Sequence, residues 1–352
     1  MKRRIPYIGS SRDTRAFVRV RVLAAAGSVV LSAALLTACD DTGSDGSASI
    51  TMGVGGNIFD MPIRIAAAKG YFAKQGLNVK VVTLNPSIAT TALESDSVQF
   101  LNSSPTTFLS ALSRDLKETA IAHDGDGNPL GLVVSTDFAR KHHLTADTPP
   151  DQVAKALVGS TGGSSSTNTK AQAGIFLKAY GVEPDDIKWV SLLSPAANEA
   201  SLKTGQIGWF ATSEPTPLEI EHSGDGLVLA DAARVPVWSN DKVGYGQLLV
   251  ARSSYLRDHP AIAKKTATAV QQATAYLHTH LDSATVKNTA KETLPGVPAS
   301  VIDKSLPLVN WPTSAKMSNA DWKTTVSFIN ELHTLRGNIE MTTDNWTNSY
   351  LP

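Results

Sequence analysis

The stretch Leu157–Gly181 reads LVGSTGGSSSTNTKAQAGIFLKAYG. Leu157–Val158 is a short apolar strand candidate, and the residues after it break into a loop of Gly, Ser and Thr. No bulky or charged side chain stands between Gly159 and Asn168. Beyond the loop, Ala173, Phe176, Leu177 and Tyr180 recur at i, i+3, i+4 and i+7, which predicts a helix with one apolar stripe. Gly181 then stands where a helix C-terminus wants a left-handed residue. The loop offers backbone N–H groups, hydroxyls and the positive end of a helix dipole, a site for a small anion held without a formal counter-charge. A solvated loop with a Ser/Thr cap is the plainer reading of the same residues, and the loop alone leaves both open.

The rest of the chain repeats this strand, loop and helix order. Ser49–Val54 predicts a strand turned by Gly55-Gly56-Asn57, then a helix capped by Asp60 with Pro62 in its first turn, running to Gly76. Asn78–Leu84 alternates as a second strand, Pro86–Leu93 is a short helix and Val98–Leu101 a strand. Ser104 as cap and Pro105 at the first helical position make a second hydroxyl-rich junction, Ser103–Thr106. Ala120–His123 and Leu130–Ser135 are strands around Asp124–Asn128, DGDGN. That loop does not suit calcium, because Pro129 stands where a calcium loop needs Gly and Ser135 where it needs a bidentate Glu; it reads as a tight polar turn. Further on come a strand Ile187–Leu192, a helix capped by Ser194 and ended by Gly205, and a strand within Gln206–Pro215. A strand Leu248–Ala251, a long helix from Pro260 and a helical tail close the chain.

The 352 residues are 42% hydrophobic and 18% charged, enough for one large or two medium domains. The formal charge is zero, yet seven bases stand against Asp13 alone in the first 38 residues, leaving 25 bases against 31 acids in the remainder. A mildly acidic body without a basic stripe argues against nucleic acid. After Arg21 the uncharged run Val22–Leu36 suits a signal-peptide core and is short for a spanning helix. It ends in Leu36-Thr37-Ala38-Cys39, and Cys39 is the only cysteine. This resembles a bacterial lipobox, which predicts removal of residues 1–38 and lipidation of Cys39, with residues 39–49 as a flexible tether. An internal disulfide is excluded.

The segment AAAKGYFAKQGLNVKVV (Ala66–Val82) carries a family resemblance, extended by GVEPDDIKWV and by QIGWFATSEP at Gln206–Pro215. The chain resembles the solute-binding proteins of ABC importers for aliphatic sulfonates, taurine and nitrate, whose near relatives bind thiamine-type pyrimidines. Asp is usual in that family where Gly208 stands, a departure expected to alter an edge contact. The resemblance implies an α/β periplasmic-binding fold of type II, with two lobes, two crossing strands and a ligand cleft. On that reading residues 50–134 and 246–352 form the first lobe and 135–245 the second, with Val133–Ser135 as the first crossing. It also implies a lipid-anchored protein on the outer face of a membrane, acting as a monomer with an ABC permease and its ATPase.

Three hydroxyl-and-amide clusters are expected to meet at the cleft: Gly56-Asn57, Ser103, Ser104 and Thr106, and Gly163, Ser164, Ser165, Ser166 and Thr167. Several convergent donors are the physical way to desolvate an anion. Glu214 there would favour a zwitterion with an ammonium group, such as taurine, or else bonds backbone amides near a hinge. Trp238, between Pro236 and Ser239, reads as a looser residue able to close over ligand, whereas Trp209 reads as core. No cofactor, metal or catalytic residue is expected. The chain has no Gly-x-Ser-x-Gly, Walker A or His-Glu-x-x-His motif, and Gly53-Val54-Gly55-Gly56 lacks the third glycine of a dinucleotide loop. Some relatives form the thiamine pyrimidine with a Cys-rich motif and a sacrificial His; that Cys cluster is missing here.

Overall fold

The computed structural model describes residues 47–352, apart from 193 and 338. The expected signal peptide, Cys39 and the expected tether as far as residue 46 lie outside the described residues; the tether is shorter than expected, since Ala48 and Ser49 already pair in β1. In the first lobe the strands are β1 (Ala48–Val54), β2 (Leu77–Thr83), β3 (Phe100–Ser103), β4 (Glu118–Asp126) and, returning late in the chain, β10 (Tyr245–Arg252). In the second they are β5 (Leu130–Ser135), β6 (Thr161–Ser164), β7 (Lys188–Ser191), β8 (Trp209–Ser213) and β9 (Gly226–Asp231). The two sheets have the orders β2-β1-β3-β10-β4 and β7-β6-β8-β5-β9, so each mixes parallel strands with one internal antiparallel strand.

Alternation along the strands explains why each sheet is covered on both faces. Leu249 and Ala251 of β10 join the core under the helix Pro260–His280, while Leu248 and Val250 join the core of Phe108 and Trp322. In the second lobe Trp209 and Ala211 of β8 face one core and Phe210 the other. The long helix is apolar where its pattern predicts, with Ala263, Ala267, Val270, Thr274 and Leu277 all buried. The tail follows suit, with Trp311, Trp322, Phe328 and Leu332 buried against the first lobe.

Four local expectations change. The first crossing is Gly127–Pro129, not Val133–Ser135, because Leu130–Ser135 is already β5, bonded between β8 and β9. Asp124–Asp126 therefore ends β4 instead of belonging to a free turn. Leu157–Val158 is no strand; Leu157 caps the helix Pro150–Ala156, and the glycine segment itself pairs as β6. The helix after Asp60 runs Met61–Ala68 and restarts at Tyr71, broken by Gly70 at φ 67°.

Candidate functional site

Strands β1, β3 and β4 point one way, so Gly55–Asn57, Ser104–Thr106 and Asp124–Asp126 share one edge of the first sheet. Strands β6, β7 and β8 likewise end together at Ser164, Ser191 and Ser213. The crossing Gly127–Pro129 leaves the first edge and enters the second beside Ser213, since Leu130 pairs with it. The carboxyl ends of the parallel strands in both lobes therefore face the crossing, where open α/β sheets bind ligands.

Ser104 accepts the Thr107 N–H at 3.2 Å and caps the helix Pro105–Leu112, as its hydroxyl and the following Pro lead one to expect. Ser103 is buried at the end of β3. Thr106 Oγ1–H donates to Asn168 Oδ1 at 3.3 Å. That bond joins the Ser103–Thr106 turn to the helix Thr167–Ala179 of the other lobe. Ser166 caps this helix, accepting the Thr169 N–H at 3.1 Å, and Thr169 Oγ1 accepts the Ser166 N–H at 3.1 Å in return. Ser165 Oγ lies 3.5 Å from Thr169 Oγ1, half-buried, and Ser164 is buried.

Other expected site residues do different work. Gly163 is a rung of the sheet, in register with Val190 and Phe210, so its backbone bonds strands. A Cβ there would lie 2.2 Å from Asn198 Oδ1. The N–H groups of Gly56 and Asn57 donate to Asp60 Oδ2 at 2.6 and 3.2 Å, and that of Gly55 to Oδ1 at 3.0 Å. The loop is a concave anion receptor that its own chain fills, and Gly56 at φ 75° gives it that curvature. Asp60 is thus a ligand of the loop and not the expected helix cap. Burial pushes its carboxyl up to about 6, against the three N–H donors and Arg64.

Trp238 is fully buried, not loose: its ring packs on Phe176 and its Nε1–H donates to Gln172 O at 3.1 Å. Trp209 is core, as read from sequence. Gly208 sits inside the sheet and not at an edge, its N–H on Thr161 O and its carbonyl on the Ser135 N–H; a Cβ there would meet the Phe138 ring at 2.7 Å. Glu214 is 3% exposed, its N–H bonds Pro129 O on the crossing at 2.8 Å and its Oε2 accepts the Leu218 N–H at 3.2 Å. Burial pushes its carboxyl up to about 8. Residues with no strong sequence signal stand close by. Asn128 on the crossing donates to Gln172, and Asp124, near the end of β4, has its carboxyl pushed up by burial and by the charge of Asp60. Asp60 was readable only as a cap three residues past Asn57, and Asp124 only as part of a polar turn.

The sequence model of the family described as NMT1/THI5 like matches residues 59–284. The chain belongs to the NMT1/THI5-like family. A comparison with curated protein sequences finds no match. Among solved structures, the periplasmic aliphatic sulphonate binding protein SsuA from Escherichia coli superposes with a TM-score of 0.68 at 15% identity, covering 86% of this chain and 98% of that one. The periplasmic nitrate-binding protein NrtA from Synechocystis PCC 6803 gives 0.67 at 16%, covering 86% and 87%. A ligand-binding component of an ABC-type import system from Staphylococcus aureus, with zinc bound, gives 0.68 at 14%, covering 86% and 97%. The fold is that of the periplasmic binding proteins, as the sequence resemblance implies. Among the described residues no helix is long and apolar enough to cross a membrane.

Proposed function

We propose that this member of the NMT1/THI5-like family is an extracytoplasmic solute-binding lipoprotein of an ABC importer, and not an enzyme. It captures a small organic anion or zwitterion, alkanesulfonate- or taurine-like, by closing its lobes about two crossings and hands it to a permease driven by an ATPase. Lipidated Cys39 tethers it to the membrane, and it acts as a monomer. The observation that carries this reading is the bond from Thr106 to Asn168, which joins hydroxyl-lined strand ends of two lobes. Family membership and the likeness to sulfonate- and nitrate-binding proteins support it. Ser103, Ser104, Thr106 and Ser164–Thr167 are the residues assigned to ligand; Gly56, Asn57, Gly163 and Trp238 are supports, given their bonds and burial.

A second reading, a thiamine-type pyrimidine in place of a sulfonate, is favoured by the acids at the first lobe's edge, which suit N–H donors. Isothermal titration against taurine, alkanesulfonates, nitrate and an aminopyrimidine decides between them. Heat from a sulfonate supports the first reading, and heat from the pyrimidine alone replaces it with the second.

A further inference from the structure

Asp124 lies two residues before the end of β4, an outer strand of the first sheet, and three residues before the crossing. It is 0% exposed, and neither carboxylate oxygen has a hydrogen-bond partner. Its two acidic neighbours are committed: Asp60 holds three loop N–H groups, and Asp126 Oδ1 lies 2.8 Å from His123 Nδ1. Burial and these two acids push the Asp124 carboxyl well above the usual carboxylate range. A buried polar group without a partner is costly, and such groups mark places where a structure serves something beyond its own stability. Asp124 stands close in the chain to the crossing Gly127–Pro129 that joins the two sheets.

The two lobes are also polarised. In the first, the N–H groups that suit an anion are spent on Asp60. In the second, Ser164 and Ser165 stand at the start of a capped helix of thirteen residues. On this division the first lobe holds the unpaired acceptor, Asp124, and the second holds the hydroxyl donors.

We infer that Asp124 is the specificity-determining residue of the cleft, accepting an ammonium or amino N–H of the solute, so that the solute carries a nitrogen donor and is not a simple anion. This rests on the reading of the cleft as a solute site. The ligand nitrogen would supply the partner that the fold withholds from Asp124, while the second lobe takes the ligand's acceptor end.

Paired ligands differing only in the nitrogen test it by isothermal titration with the purified protein: taurine against ethanesulfonate, and 4-amino-5-hydroxymethyl-2-methylpyrimidine against the same ring lacking its amino group. In one pair or both, the nitrogen-bearing member binds at least about tenfold tighter, as a site with an otherwise unpaired polar group demands. Asp124→Asn weakens that member about tenfold and leaves its nitrogen-free partner nearly unchanged. If the variant does not fold, Asp124→Leu, which removes the unpaired acid, takes its place, and the wild-type ratio decides by itself. Equal affinities within each pair, or a ratio preserved in the variant, overturn the role of Asp124 while leaving the solute reading intact. Silence of all four ligands overturns that reading and this inference with it.

Discussion

Asn128, on the first crossing, donates its Nδ2–H to Gln172 Oε1 at 2.5 Å, and both side chains are buried. Gln172 lies on the helix whose first turn brings Asn168 to Thr106, and its carbonyl receives the Trp238 indole N–H. One helix thereby joins the hydroxyl-lined strand ends, the pivot and the second lobe's core. Asn128→Ala strands Gln172 Oε1 and should cost about 1–3 kcal/mol. Gln172→Ala should cost a similar amount, and the double variant less than the sum, because the two lose the same bond. Urea unfolding of the four proteins checks this, and strictly additive costs would show that the pair is not coupled.

Trp238 anchors that helix from below. Trp238→Ala removes a fully buried indole and should cost about 3–5 kcal/mol, whereas Trp238→Phe keeps the packing on Phe176 and loses mainly the bond to Gln172, about 1 kcal/mol. Denaturant midpoints of the two variants measure the difference. A cost below about 1 kcal/mol for the alanine variant contradicts a core role.

Gly163→Ala places a methyl 2.2 Å from Asn198 Oδ1 and 2.6 Å from Ile207 Cδ1. Overpacking of this kind costs about 1–3 kcal/mol. Asn198→Ala in the same chain should restore part of the loss, read from thermal unfolding. A neutral Gly163→Ala would mean that β6 does not lie this close to its covering helix.

Three buried acids give the protein a definite pH dependence. Burial raises Asp60 to about 6 and Glu118 and Glu214 to about 8, so the folded state binds protons that the unfolded chain releases. Their contribution is fully present below the ordinary carboxylate range, near pH 4, and is lost as pH rises through these values. Glu214→Gln should match the wild type near pH 4 and lose less stability between pH 5 and pH 8. Urea midpoints across that range check it, and an unchanged slope contradicts it.

Much of this architecture was legible because local signals and tertiary demands agreed. Ser104-Pro105 and Ser194-Pro195 mark helix starts by chemistry that needs no partner, and the stripe Ala173, Phe176, Leu177 and Tyr180 fixes which face of its helix is inward. Where the reading went wrong, the deciding partner lay far along the chain. Thr161–Ser164 has poor strand propensity, yet pairs between two strands because Gly162 leaves room for the Trp209 ring and Gly163 for Asn198. Trp238 lies in a Pro-Ser setting that suggests a loop, and only the Phe176 ring and Gln172 carbonyl bury it. Asp60 presents itself as a cap, and its backward bonds to Gly55–Asn57 are invisible to helical periodicity. The continuous apolar run of β5 hides where one lobe stops and the next begins.

The most direct measurement is isothermal titration of the wild type and Ser165→Glu, side by side, with taurine, ethanesulfonate, nitrate and the aminopyrimidine. Ser165 stands half-buried just ahead of the helix that carries Asn168, so an added carboxylate there enters the proposed cleft without entering a core. The account predicts that the wild type binds at least one of these solutes, and that the variant binds none while keeping its thermal midpoint. Binding by the variant equal to the wild type, or no binding by the wild type at all, would contradict it.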